Sequence, residues 1–101
     1  MEGDATREGL RILLVEDDPD HAELVRRGLE DYGSRLQLVH LADGEAALEY
    51  LRERAPRDAP DRPHLILLDL RLPRIDGLEV LREIKDAPDL CDIPCVVLTT
   101  S

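Results

Sequence analysis

The chain has 101 residues, with 23 acidic side chains against 13 basic ones and a formal net charge of −10. A chain of this size buries about two thirds of its unfolded surface, which allows one core and one site but excludes a second domain. The acidic balance leaves no basic stripe for nucleic acid or an anionic membrane surface, and suits metal ions or partners with basic faces instead.

Residues 1–9 read as a flexible N-terminal tail, followed by Ile12-Leu13-Leu14-Val15. This is the first of three apolar runs that do not alternate, and such runs fit strands covered on both faces in a parallel sheet. Asp18 as N-cap and Pro19 in the first turn then open a helix that carries Ala22, Val25, Leu29 and Tyr32, with Gly33 as its stop. Leu36 to Leu41 includes Gln37 and His40 among its apolar residues, which predicts an edge strand. From Asp43 to about Arg54 the spacing of Ala47, Leu48, Leu51 and Ala55 predicts a second helix. The prolines and mixed charge of Ala55 to Pro63 predict a surface loop. Leu65-Ile66-Leu67-Leu68 is the next strand. Asp76, with Glu79 three positions on, caps a third helix carrying Leu78, Leu81 and Ile84, which Asp86-Ala87-Pro88 stops. Cys95-Val96-Val97-Leu98 is the last strand. The order βαβαβαβ implies right-handed crossovers and an open, doubly wound α/β sheet with helices on both faces.

No apolar run approaches the ~18 residues of a membrane span, and the N-terminus has no apolar segment of the secretory kind. The cytoplasm is therefore the expected location. Cys91 and Cys95 are too few for a disulfide framework and lack the second pair of a zinc site. Both are expected to be buried or half-buried reduced thiols.

In an open α/β sheet the ligand crevice lies outside the carboxyl ends of the strands. Here those ends are Glu16-Asp17-Asp18, Asp69 and Thr99-Thr100-Ser101. Like charges gathered on one rim disfavour ionisation, and a divalent cation with a preference for oxygen resolves the conflict. Mg²⁺ usually takes one or two carboxylates, keeps several waters and shares a phosphate, for which the Thr99 hydroxyl is a suitable donor. Asp18 needs no more than its role as a cap. His21 falls beside the acidic rim, His40 in the edge strand and His64 at the opposite end, with no ligand spacing among them. Ser34 and Ser101 have no evident base, and the glycines form no phosphate-binding fingerprint.

These residues resemble a known family, the phosphoacceptor (receiver) domains of two-component response regulators. Leu13-Leu14-Val15-Glu16-Asp17-Asp18-Pro19 is similar to the family's acidic pair after the first strand, and Leu67-Leu68-Asp69-Leu70-Arg71-Leu72-Pro73 to its phosphorylation motif. Gly77 fits, and Pro94 to Thr100 resembles the fourth strand with its terminal Thr. The string from Pro63 to Ser101, with the proline-rich loop before it, is most similar to small single-domain regulators of the phytochrome-associated type. The resemblance implies a flavodoxin-like sheet of order 2-1-3-4, phosphorylated on Asp69 by a sensor histidine kinase, of phytochrome type, in a Mg²⁺-dependent phosphorelay. It implies metal binding by Asp17, Asp69 and the backbone carbonyl of Arg71, with Glu16 acting largely through water. It also implies that Thr99 bonds the phosphoryl group and moves with it, and that catalysis extends only to the domain's own phosphorylation and dephosphorylation.

The family's fifth strand brings a Lys to the phosphate and carries a switch aromatic. The single lysine here, Lys85, falls in the third helix, and Tyr32 and Tyr50 in the first two. Residues 10–101 are therefore expected to be a receiver domain truncated after the fourth strand, with any homodimer contact in the missing C-terminal region. Two other readings stay open: a Mg²⁺-dependent phosphohydrolase or toprim-like nuclease, which wants an Asp-x-Asp pair where Asp69-Leu70-Arg71 stands, and a pseudo-receiver that only binds a partner.

Overall fold

A computed structural model describes residues 9–72 and 74–98. Thr99 and the expected tail, except Gly9, lie outside the described residues. Strand β1 (Leu10–Val15) leads to helix α1 (Pro19–Leu29), a 3₁₀ stretch and edge strand β2 (Leu36–Leu41). Helix α2 (Gly44–Glu53), strand β3 (Leu65–Asp69), helix α3 (Gly77–Asp86) and strand β4 (Cys95–Leu98) come next. All pairings are parallel and the sheet order is β2-β1-β3-β4, the doubly wound arrangement the sequence predicts.

The non-alternating run of β1 has a direct cause. Successive strand residues point to opposite faces, and Ile12, Leu13, Leu14 and Val15 are all buried because β1 lies between β2 and β3 with both faces covered. On one face Leu13, Val15, Ile66 and Leu68 pack with Ala47, Leu48 and Leu51 of α2 and with Val80 and Ile84 of α3. Each such fully buried aliphatic side chain contributes roughly 1.5–3 kcal/mol, so this layer fixes where β1 and β3 end relative to each other. The register pairs Val15 with Leu68, which brings Glu16 beside Asp69. On the other face Leu29 of α1 stands with Leu10, Ile12, Leu36 and Leu65 around a shallow apolar hollow.

The two predicted caps, Asp18 and Asp76, are made, and Asp43 caps the second helix as well. Asp18 accepts from the amide of Asp20, Asp43 from Ala46 and Asp76 from Glu79, satisfying N–H groups that each helix leaves without a partner. Three details differ from the sequence expectation. Helix α1 ends at Leu29 and gives way to the 3₁₀ stretch, within which Gly33 at φ 81° turns the chain. In α3 the buried stripe is Gly77, Val80 and Ile84, while Leu78 is 49% exposed. Positions 77, 80 and 84 share one helical face and 78 falls about 100° away from 77. Cys95 is half buried as expected, but Cys91 is exposed in the turn after α3. Burial raises the Cys95 thiol pKa, with Lys85 opposing.

Far from the strand ends that carry the acidic residues, the loop after α2 is tied down by ion pairs. Asp92 accepts from Arg57 and from Arg62, the latter at 2.8 Å, and the Arg11 guanidinium donates to the Arg62 carbonyl at 2.8 Å. The Arg54 guanidinium lies 3.7 Å over the Tyr50 ring and bonds Asp61 at 2.8 Å.

Candidate functional site

The carboxyl ends of the two central strands deliver the site. Glu16 stands directly after β1, held in place by its amide on the Leu41 carbonyl at 3.0 Å and by His40 Nε2 against its own carbonyl at 2.7 Å. Asp69 ends β3, and its Oδ1 accepts from the amide of Arg71 at 3.0 Å. Glu16 and Asp69 are 1% and 2% exposed, whereas Asp17 is open to solvent. One carboxylate oxygen from each of Glu16, Asp17 and Asp69 lies within 4.8 Å of the other two. The cluster predicted from strand ends 52 residues apart in sequence is thus assembled, apart from Thr99, which lies outside the described residues.

The electrostatics of this cluster are unfavourable without a cation. Glu16 Oε2 accepts from the amide of Asp18 at 3.2 Å, but Oε1 is buried without a hydrogen-bond partner. Burial holds the Glu16 carboxyl above the usual range; the Asp18 amide pulls it back, while a hydrogen bond with Asp69 and the Asp69 charge push it further up. Three hard carboxylate oxygens on a rim where acids repel each other could hold a divalent cation that prefers oxygen. Asp18 remains a cap, its Oδ1 on Asp20.

Glu16→Gln tests this description. A carboxyl whose pKa is raised by folding binds its proton more tightly in the folded state, so ionised Glu16 destabilises the metal-free protein above the raised value. That penalty disappears as pH falls through the raised value towards the ordinary one. Without metal, the Gln variant is therefore expected to be more stable at neutral pH by about 1–3 kcal/mol. The difference should shrink on acidification, as read by thermal melts in EDTA across pH.

Sequence reasoning set His21 beside the acidic rim but gave neither it nor His40 a contact with Glu16. His40 looked like an ordinary residue of an edge strand, yet the register that sets it opposite Leu14 carries its ring to the Glu16 carbonyl. His21 sits in the first turn of α1 with Nδ1 3.6 Å from Glu16 Oε2. Its place four residues after Asp17 was the available signal.

The chain matches the response regulator receiver domain family over residues 12–101. It belongs to that family. It is 50% identical over 90 residues to the response regulator Rcp1 of Synechocystis sp., covering 89% of this chain and 61% of the relative. It is 51% identical over 92 residues to a probable methanogenesis regulatory protein, FilR2, of Methanothrix harundinacea, covering 89% of this chain and 57% of the relative. The chain thus spans about three fifths of the length of these relatives. Among solved structures, the phosphorylated cyanobacterial phytochrome response regulator RcpA is similar at TM-score 0.82 and 44% identity, covering 92% of this chain and 66% of that one. The Mn²⁺-bound form of Rcp1 is similar at TM-score 0.79 and 48% identity, covering 91% and 66%. The receiver fold and the flavodoxin-like strand order are those the sequence resemblance implies.

Proposed function

We propose that this receiver domain accepts a phosphoryl group on Asp69 from a sensor histidine kinase, in a Mg²⁺-dependent step of a cytoplasmic phosphorelay. The observation that carries the reading is the buried Asp69 carboxyl at the end of a central strand, within 4.8 Å of Glu16 and Asp17. The fit of those oxygens to a divalent cation, and the Mn²⁺-bound structure of Rcp1, support the metal requirement. Similarity to phytochrome response regulators supports a phytochrome-type kinase as the donor. The family match over 12–101 supports a domain running from about residue 10.

In this reading an Asp69 carboxylate oxygen attacks the phosphorus of a phosphohistidine, and the breaking P–N bond leaves its electron pair on the imidazole. Such transfer is catalysed mainly by position and by neutralised charge, and a bound Mg²⁺ supplies positive charge to the phosphoryl oxygens. Asp17, Asp69 and the Arg71 carbonyl would hold the ion, with Glu16 acting largely through water. The Arg71 amide orients Asp69 through Oδ1. The Thr99 hydroxyl would bond the transferred group and couple its charge to the surface around β4. The domain performs this transfer and the later hydrolysis of its own acyl phosphate, which releases inorganic phosphate, without steady turnover of an external phosphoester.

The intact protein, treated with a small phosphodonor such as acetyl phosphate, is expected to gain the mass of one phosphoryl group when Mg²⁺ is present and none in EDTA. The adduct should be labile to hydroxylamine, as an acyl phosphate is. An unchanged mass with Mg²⁺ present sinks the proposal, and steady release of phosphate from a phosphoester would favour the hydrolase class.

A further inference from the structure

His21 takes no part in the phosphoryl transfer, yet its ring is turned into the site. It is the third residue of α1, directly after the cap formed by Asp18, so the start of that helix places it against the rim. Its Nδ1 is buried without a hydrogen-bond partner although the ring as a whole is 38% exposed. Two carboxylates face this nitrogen: Glu16 Oε2 at 3.6 Å and Asp18 Oδ2 at 3.7 Å. A lone pair on Nδ1 would point at both and be repelled, so Nδ1 carries hydrogen in the neutral ring as well as in the charged one. The atom nearest Glu16 on this side is therefore a donor at either charge state of the ring.

Glu16 offers this donor Oε2, the oxygen that also accepts from the Asp18 amide. Its side chain has three rotatable bonds, its terminal torsion is soft, and its carboxylate is held by the Asp18 amide at 3.2 Å and by a hydrogen bond with Asp69. The other oxygen is the orphaned Oε1. Groups behind a metal's ligands orient them and favour their ionised form, and their loss typically weakens metal binding tenfold or more.

We propose that His21 is a positioning residue of the cation site: its Nδ1–H, with the Asp18 amide, fixes the Glu16 carboxylate in the orientation that receives a divalent ion. The proposal rests on the metal-binding reading of the Glu16, Asp17 and Asp69 cluster. His21 acts on the ion only through Glu16. The attraction of the imidazole also works against the burial that disfavours Glu16 ionisation.

The test uses Mn²⁺ alone as the probe, its dissociation constant read by electron paramagnetic resonance on the intact protein at one pH and ionic strength. His21→Ala is expected to weaken Mn²⁺ binding roughly tenfold. His21→Asn, which carries an N–H donor at the same number of bonds from Cβ, is expected to keep wild-type affinity, and Asp17→Asn serves as the control for the site itself. Thermal melts in EDTA accompany each variant. Wild-type affinity in His21→Ala, with Asp17→Asn weakened, overturns the role of His21 and leaves the metal site standing. Equal weakening in the Ala and Asn variants also overturns it, because the donor would then not be what matters. If the wild-type protein does not bind Mn²⁺, or Asp17→Asn binds it as tightly, the metal site falls and His21 falls with it.

Discussion

Asp69→Asn is expected to abolish phosphoryl uptake and, in EDTA, to make the protein more stable than the wild type. The first effect arises because an amide oxygen is too poor a nucleophile to form the acyl phosphate. The second comes from the geometry of the rim. Carboxylate oxygens of Glu16, Asp17 and Asp69 lie within 4.8 Å of one another. A unit-charge repulsion at that separation is of order 3 kcal/mol at an effective dielectric constant of about 20. Asn removes the charge at position 69 but keeps an oxygen to accept from the Arg71 amide, so the turn after β3 is not disturbed. The expected gain is about 1–3 kcal/mol, smaller than the full repulsion because the Glu16 pKa, raised by burial and by Asp69, already relieves part of it. Excess Mg²⁺ should reverse the order. A ligand at 100 times its dissociation constant adds about 2.7 kcal/mol to a protein that binds it, and the variant has lost a ligand. The measurement is denaturant unfolding of both proteins with EDTA and with Mg²⁺. A destabilised Asp69→Asn in EDTA would show that the three acids do not repel each other, and the case for a cation would lose its physical basis.

What the sequence disclosed about this fold was whatever depends on local pattern. The unbroken run Ile12 to Val15 announced a strand buried on both faces, and Gln37 and His40 announced an edge. Asp18 and Asp76 announced helix starts, and all of these features are present. Glu16, Asp17 and Asp69 were legible as a site because the sheet rule places all strand ends of one sense on one rim, so three short motifs sufficed to bring them together. The misses share a different character. Leu78 looked like core because it is apolar, but only packing decides which of two adjacent apolar stripes on α3 faces the sheet, and Val80 and Ile84 take that place. Leu29 ends α1 before Gly33 because the backbone tightens into a 3₁₀ stretch, a choice that no single residue type dictates. The His40 contact depends on the register of β1 with β2, and the His21 contact on the angle at which α1 leaves β1. Both are three-dimensional facts that periodicity does not encode.

Gly77→Ala is expected to cost about 1–3 kcal/mol of stability, the usual range for overpacking, and to slow phosphorylation of Asp69. The glycine has no positive φ to defend; the constraint is space. A Cβ there would stand 2.4 Å from the Leu70 Cα and 2.5 Å from the Asp69 carbonyl oxygen, both backbone atoms that no rotamer change can move. The Gly77 amide also donates to the Leu70 carbonyl at 3.1 Å, tying the start of α3 to the chain just beyond β3. Relief of the clash must therefore shift either α3, which carries Val80 and Ile84 into the core, or the segment from Asp69 to Arg71 that forms the site. Misplacement of a reacting group by about 1 Å can cost roughly 100-fold in rate, so the phosphodonor reaction should fall even where the protein stays folded. Gly28→Ala is the matched control. A Cβ at position 28 meets nothing within 4 Å, and in the last turn of α1, where Gly28 lies, alanine is favoured over glycine by up to about 0.5–1 kcal/mol. Opposite signs for the two Gly→Ala changes, with the rate loss confined to position 77, would place the effect in the contact between α3 and the phosphoacceptor strand. A neutral Gly77→Ala would mean that α3 is free to move away from Asp69, and that the end of β3 is held by the sheet alone.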